Sequence, residues 1–188
     1  MRLRLSALRV AAVAAALAFA LGGCGSASRP ASHALASDGP LSSGNGIHDP
    51  SPPASVCAPS GRPWAFGLDR FTNYGRTTVV LDRVVLLRSH NEHVVGSYAV
   101  PGDRVVGVVH WPPINPQTQP AWKDRQPIRG FRLAPGKSFN MVLGVAAIVG
   151  SRRATSQGML VYYHDSAGTF VAKDYDASII AANRRTCV

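Results

Sequence analysis

The stretch Phe139-Asn140-Met141-Val142-Leu143-Gly144-Val145-Ala146-Ala147-Ile148-Val149 decides the fold. Phe139, Met141, Leu143, Val145, Ala147 and Val149 recur at period two, which places them on one face of a β-strand. Val142, Ala146 and Ile148 make the other face apolar as well. A strand that offers apolar side chains to both sides belongs in the middle of a sheet. Pro135-Gly136, just before it, predicts a type II turn, because proline presets the first central position and glycine supplies positive φ at the second.

Working outward, the same period-two signal recurs. Trp64, Phe66 and Leu68 alternate with small or polar residues. Thr77–Leu87 is rich in Val and Leu, with a break in phase between Leu81 and Val84 that suggests a bulge. His93–Val100 and Arg104–His110 follow, separated by Pro101-Gly102-Asp103. Met159–His164 and Thr169–Tyr175 flank Asp165-Ser166-Ala167-Gly168 as a hairpin. A helical period is admissible only over Ala177–Arg184. About seven or eight short strands with turn signals between them predict an all-β, antiparallel β-sandwich. The order of features, a Pro-Gly turn, a long apolar strand, a Val-Tyr strand and a glycine turn, resembles immunoglobulin-like domains of secreted bacterial proteins over roughly residues 62–187. That resemblance implies a fold and no activity.

The N-terminus carries a different signal. Arg2, Arg4 and Arg9 precede an unbroken apolar run, Val10–Leu21, which has the length of a signal-peptide core and is shorter than a membrane span. Leu21-Gly22-Gly23-Cys24 resembles the lipobox of bacterial lipoproteins. The resemblance implies cleavage before Cys24, acylation of its sulfur and retention by lipid at the outer face of the cell membrane, with residues 1–23 removed as a signal peptide. The competing reading is plain secretion after Ala18-Phe19-Ala20. Cysteine arithmetic opposes it: the chain has Cys24, Cys57 and Cys187, and release after Ala20 leaves an unpaired thiol in an oxidising compartment. With Cys24 acylated, Cys57 and Cys187 remain as an even pair at the extremities of the domain, and a Cys57–Cys187 disulfide is predicted, worth up to roughly 4–5 kcal/mol on a chain-entropy argument.

Residues 24–56 are dominated by Ser, Ala, Gly and Pro and read as a lipidated, flexible tether; residues 57–188 read as the sandwich domain. Removing residues 1–23 takes three of the 20 basic residues and none of the 10 acidic ones, so the mature chain is about +7. Arginine supplies 17 of the 20 basic residues, which with the lipobox resembles actinobacterial envelope proteins. A basic domain outside the cell points to membrane headgroups, an envelope protein or an anionic wall polymer as partner, and not to nucleic acid.

No cofactor or catalytic motif emerges. Gly130–Ser138 has five residues between its glycines where a phosphate-binding loop needs four, and no helix follows. His90, His93, His110 and His164 with Met141 and Met159 form an imaginable copper set, but a blue-copper site also needs a free cysteine. Asp174 and Asp176 share a strand face, a spacing usual for a solvated edge. No Gly-x-Ser-x-Gly elbow is present. The expectation is therefore a domain without enzymatic activity, without cofactor and without bound metal. The most unusual segment is Pro112–Pro127, with five prolines, Trp122, Lys123 and Arg125, and Trp111 at its base. Trp111, Trp122, Lys123 and Arg125 are the candidate binding residues, since tryptophan beside arginine is typical of binding hot spots. The other possibility is that Trp122 folds back to cap the sandwich. The functional expectation is a lipid-anchored binding domain of the cell envelope; the alternatives are a copper-handling protein and a structural envelope component.

Overall fold

Ser138–Ala147 is a ten-residue strand at the centre of the largest sheet, flanked on both sides and buried from Phe139 to Ala146. This computed structural model describes residues 39–46, 49–50, 52–115, 117 and 119–181. Fifteen strands follow in order: β1 (Leu41–Ser43), β2 (Asn45–Gly46), β3 (Asp49–Pro50), β4 (Ser55–Pro59), β5 (Trp64–Asn73), β6 (Val79–Leu86), β7 (Glu92–Pro101), β8 (Gly107–His110), β9 (Gln126–Pro127), β10 (Arg132–Leu133), β11 (Ser138–Ala147), β12 (Arg153–Ser156), β13 (Met159–Asp165), β14 (Gly168–Asp174) and β15 (Ala177–Ala181). A short 3₁₀ helix, Pro120–Asp124, lies between β8 and β9. The excess over the seven or eight strands expected comes largely from two- and three-residue pairings, too short to leave a periodic trace.

The fold is all-β, with antiparallel sheets packed as a sandwich. One sheet runs β1-β5-β11-β7-β9, with β8 also on β5; the second runs β10-β6-β13-β14; a three-stranded sheet runs β12-β15-β4. Between them lies the main core, which gathers Leu41, Phe66, Phe71, Leu81, Phe139, Met141, Leu143, Val145, Val161, Tyr163 and Ile180. Phe139, Met141, Leu143 and Val145 thus share one covered face as their spacing predicts. Val142 faces the other way into a smaller cluster with Ala65, Val100, Val106, Ala121 and Trp122.

Several local expectations are met. Lys137 N–H donates to the Ala134 carbonyl (3.2 Å) and Gly136 has φ +69°, which closes the turn at Pro135-Gly136. Asp165 pairs with Gly168 across a two-residue turn, and Ala167 N–H donates to Asp165 Oδ1 at 2.7 Å. The break of phase in β6 is a register shift: Tyr162 opposes Arg83 and Tyr163 opposes Leu81, leaving Asp82 extra.

Other expectations are corrected. The reading of residues 24–56 as tether fails over Leu41–Ser43 and Ser55–Val56. Leu41 is fully buried, pairs with Asn73, and donates its N–H to Tyr163 Oη at 3.1 Å. One apolar residue in a Ser/Gly/Pro context carries no period, yet burying it contributes roughly 2 kcal/mol. Ala177–Ala181 is a strand and not a helix, paired in parallel with β4 so that Ile179 opposes Cys57. Cys57 is disulfide-bonded; its partner lies outside the described residues, as do Cys24, Cys187, the signal segment 1–23 and residues 24–38. The strand read through Val149 ends at Ala147, and Val149 is completely exposed. The alternation at Trp64, Phe66 and Leu68 also breaks: Leu68 is 43% exposed while Asp69 is buried. The cause is a bulge, because Met141 opposes Asp69 but Leu143 opposes Phe66.

Candidate functional site

Three places in the sandwich carry polar chemistry or open apolar surface: a carboxylate cluster in the interior, the tryptophan segment on the outer face of the first sheet, and a groove at one end.

The β5 bulge turns Asp69 inward, where it meets Asp174 at the end of β14 and Asp176 in the link to β15. The three carboxylates offer oxygens all within 4.8 Å of one another. Asp174 is almost fully buried, so the solvated-edge reading is overturned for it, while Asp176 is half-buried. Asp176 N–H donates to Asp174 Oδ1 at 2.8 Å, and Ala54 N–H donates to Asp176 Oδ1 at 2.7 Å. Gly158 makes this packing possible: a Cβ there would collide with the Asp174 carbonyl, and its φ of +122° excludes most other residues. Burial pushes the Asp69 carboxyl well above the usual carboxylate range, and the neighbouring charges of Asp174 and Asp176 push it further.

A cavity of about 30 Å³ adjoins the cluster, lined by Asp69, Asp176, Ser156 and Ser178 among apolar side chains such as Phe66, Leu143 and Met159. A water needs roughly 10–15 Å³ of such volume, so the cavity has room for about two and not for an organic ligand. Glu92, the sole glutamate of the chain, is buried nearby and accepts from Ser178 Oγ at 3.0 and 3.1 Å. Burial raises its pKa from 4.5 to about 7, against the lowering effect of hydrogen bonds from Ser178 and Ser156. The all-oxygen donor set suits a hard cation, not copper. The soft donors are scattered: Met141 and Met159 are core residues, His110 packs on the Trp64 ring (4.2 Å between centroids), and His164 Nδ1 sits 3.0 Å from Asp82. Among the described residues no histidine belongs to a metal-sized cluster.

The tryptophan segment is a cover. Gly96 and Gly144 oppose each other across β7 and β11, and the Trp111 ring lies in the trough that two missing side chains leave. Trp122, only 7% exposed, meets Trp111 and Tyr98 edge-on at centroid distances of 5.7 and 5.1 Å. The Arg125 guanidinium closes the stack 4.5 Å above Trp122 while its Nη1 donates to the Trp122 carbonyl. Of the four candidate binding residues, only Lys123 and Arg125 reach solvent freely; Trp111 is half-buried and Trp122 buried. Of the two readings of the segment, Trp122 folding back over the sandwich is the one its burial fits, and a role of the tryptophans as exposed binding residues is not. Its signal was present in the sequence as Val142 and Gly144, an apolar outer face with a notch that something has to fill.

The third place was missed. Beyond the end of β11, Ile148 and Val149 project into solvent beside Val95, and with Ser60–Pro63, His93 and Arg152 they border a groove of about 630 Å³. Arg62 and Arg152 stand on its rim, and among the described residues no acidic one lines it. Counting Val149 into the buried face of the strand concealed it.

An all-β sandwich with an apolar, arginine-rimmed groove at one end defines the molecule. No known protein family matches the sequence, and no curated protein matches it. Two solved structures align with part of the chain. The VesB protease of Vibrio cholerae aligns over 76% of this chain and 32% of its own at 12% identity, with a TM-score of 0.37. The secreted serine protease VesC of the same organism aligns over 65% and 21% at 14% identity, with a TM-score of 0.27. The chain spans about a third or less of those proteins, and at this level of similarity nothing about activity transfers to it.

Proposed function

We propose that this chain is exported, acylated at Cys24 and held at the outer face of the cell membrane, where its sandwich serves as a binding module. The observation that carries the binding reading is the groove at Val95, Ile148 and Val149. Contiguous exposed apolar surface rimmed by polar residues marks interaction sites, and here Val95, Ile148 and Val149 line one groove with arginines at its rim. The groove lies at the opposite end of the sandwich from Leu41, because β1 joins the sheet at Asn73 while β11 runs from Thr72 towards Trp64 and beyond. With Arg62 and Arg152 at its rim, it suits an envelope protein segment that presents apolar side chains beside a carboxylate. The anchoring reading rests on Leu21-Gly22-Gly23-Cys24 and on the cysteine count. A disulfide from Cys57 to Cys187 is supported by the parallel β4–β15 pairing, which sets Ile179 opposite Cys57, eight residues before Cys187 in the sequence.

A photocrosslinking side chain placed at Val149 in cells tests the binding reading against the same group at exposed Lys123. A discrete adduct formed from position 149 alone, and abolished by Ile148→Asp, is the expected outcome. Identical patterns from both positions would end the assignment of this groove.

A further inference from the structure

The opposite end of the sandwich has a chemistry of its own. The first described residues, Gly39 and Pro40, lie against the β5–β6 loop: Tyr74 N–H donates to the Pro40 carbonyl at 2.7 Å. Next to that junction is a wide groove of about 750 Å³ lined by Arg70, Arg132, Lys137, Ser138, Gly102 and Asp103, among others. Its place in the fold is set by the same strand ends, since Gly136 N–H donates to the Asn73 carbonyl and Gly102 N–H to the Ser138 carbonyl. Arg70, Arg132 and Lys137 are all exposed. Arg70 shares its charge with Asp103 through an ion pair of 3.4 Å and also donates to Ser138 Oγ at 3.2 Å. Arg76 and Arg129 are exposed in the adjoining loops, while Asp165 is engaged by Thr77 Oγ1 at 2.8 Å.

We infer that this end of the sandwich is a docking face for anionic phospholipid headgroups, centred on Arg132, Lys137 and Arg70. The inference rests on the reading that Cys24 is the anchor. The 15 residues 24–38 span at most about 50 Å when fully extended, and they join the domain at this end. An anchor at Cys24 keeps this groove within tether reach of the bilayer, whose negative surface potential acts over a Debye length of about 8–10 Å. A single lipid contact tethers but does not orient; several cations on one face do both. Lipid docking here leaves the remote groove at Val149 pointing away from the membrane.

The test uses the chain from residue 24 onward with Cys24→Ser, which retains every described residue, in co-sedimentation with vesicles. It should bind phosphatidylcholine vesicles containing phosphatidylglycerol, bind pure phosphatidylcholine poorly, and be released as ionic strength rises. Arg132→Glu with Lys137→Glu should weaken binding by about 10-fold or more. Arg62→Glu with Arg152→Glu, at the remote end and with the same net charge, should weaken it far less. Equal loss from the two pairs would reduce the effect to net charge and overturn the docking face, and so would absence of binding to the anionic vesicles. Because this protein is not acylated, the outcome is independent of whether Cys24 carries lipid in the cell.

Discussion

Trp122→Ala is expected to lower the unfolding free energy by about 3–5 kcal/mol, the usual cost of deleting a buried tryptophan. The side chain closes the outer face of the first sheet over Val142, Val100 and Val106, and its loss exposes that face and unseats the rings of Trp111 and Tyr98. Gly144→Ala should act in the same direction from below, because the new methyl would stand 2.5 Å from Trp111 Cδ2. Denaturant titration measures both. The structural role of the segment predicts that the two substitutions together cost less than the sum of their separate effects, since each displaces the same ring. A Trp122→Ala protein with an unchanged denaturation midpoint would instead restore this tryptophan as a free binding residue.

The second large effect is on pH. Glu92 titrates near 7 in the folded chain and near 4.5 when unfolded, because burial disfavours its charge. Asp69 is shifted in the same direction by burial and by Asp174 and Asp176. For a carboxyl whose folded pKa is raised, the unfolded state releases its proton first as pH increases. The stability it contributes is full below about 4.5 and is lost as pH rises through about 7. The domain should therefore be more stable at pH 5 than at pH 8, with Glu92 contributing on the order of 2 kcal/mol of the difference. Facing Glu92 are the hydroxyls of Ser178 and Ser156, and among the described residues no cation pairs with its carboxylate. Glu92→Gln keeps the hydrogen bonds and removes the proton, so it should flatten much of the pH dependence and stabilise the domain at pH 8. Parallel pH profiles for the variant and the wild type would show that Glu92 is not the group responsible.

The long apolar strand was legible because its side chains report both faces at once: Phe139, Met141, Leu143 and Val145 for the core, Val142 for the opposite cover. The hairpin at Asp165–Gly168 and the turn at Pro135-Gly136 were legible because each depends on residues within four positions. What escaped was decided by tertiary context. Leu41 gains its place from Tyr163 and Asn73, more than 30 residues away in sequence, and nothing local announces it. Ala177–Ala181 lacks a polar alternation because Ser178, Ile179 and Ile180 are all buried, so its strand character comes from β4 and β12. The interior cluster was half visible as Asp174 and Asp176. Its third member, Asp69, follows from a bulge in β5 that the Trp64–Phe66–Leu68 alternation hides. The groove at Val149 was hidden by an opposite error, in which an alternation was carried two residues past the last strand hydrogen bonds.

Both ends of the domain take their meaning from the anchor, so the state of the native N-terminus is the decisive observation. Mass spectrometry of the protein purified from membranes, digested without reduction, reads it directly. The account predicts a mature chain beginning at Cys24 with a diacylglyceryl-sized mass addition, and a peptide in which Cys57 is joined to Cys187. A chain beginning at Leu21 with an unmodified Cys24, or Cys57 joined to Cys24, would contradict it.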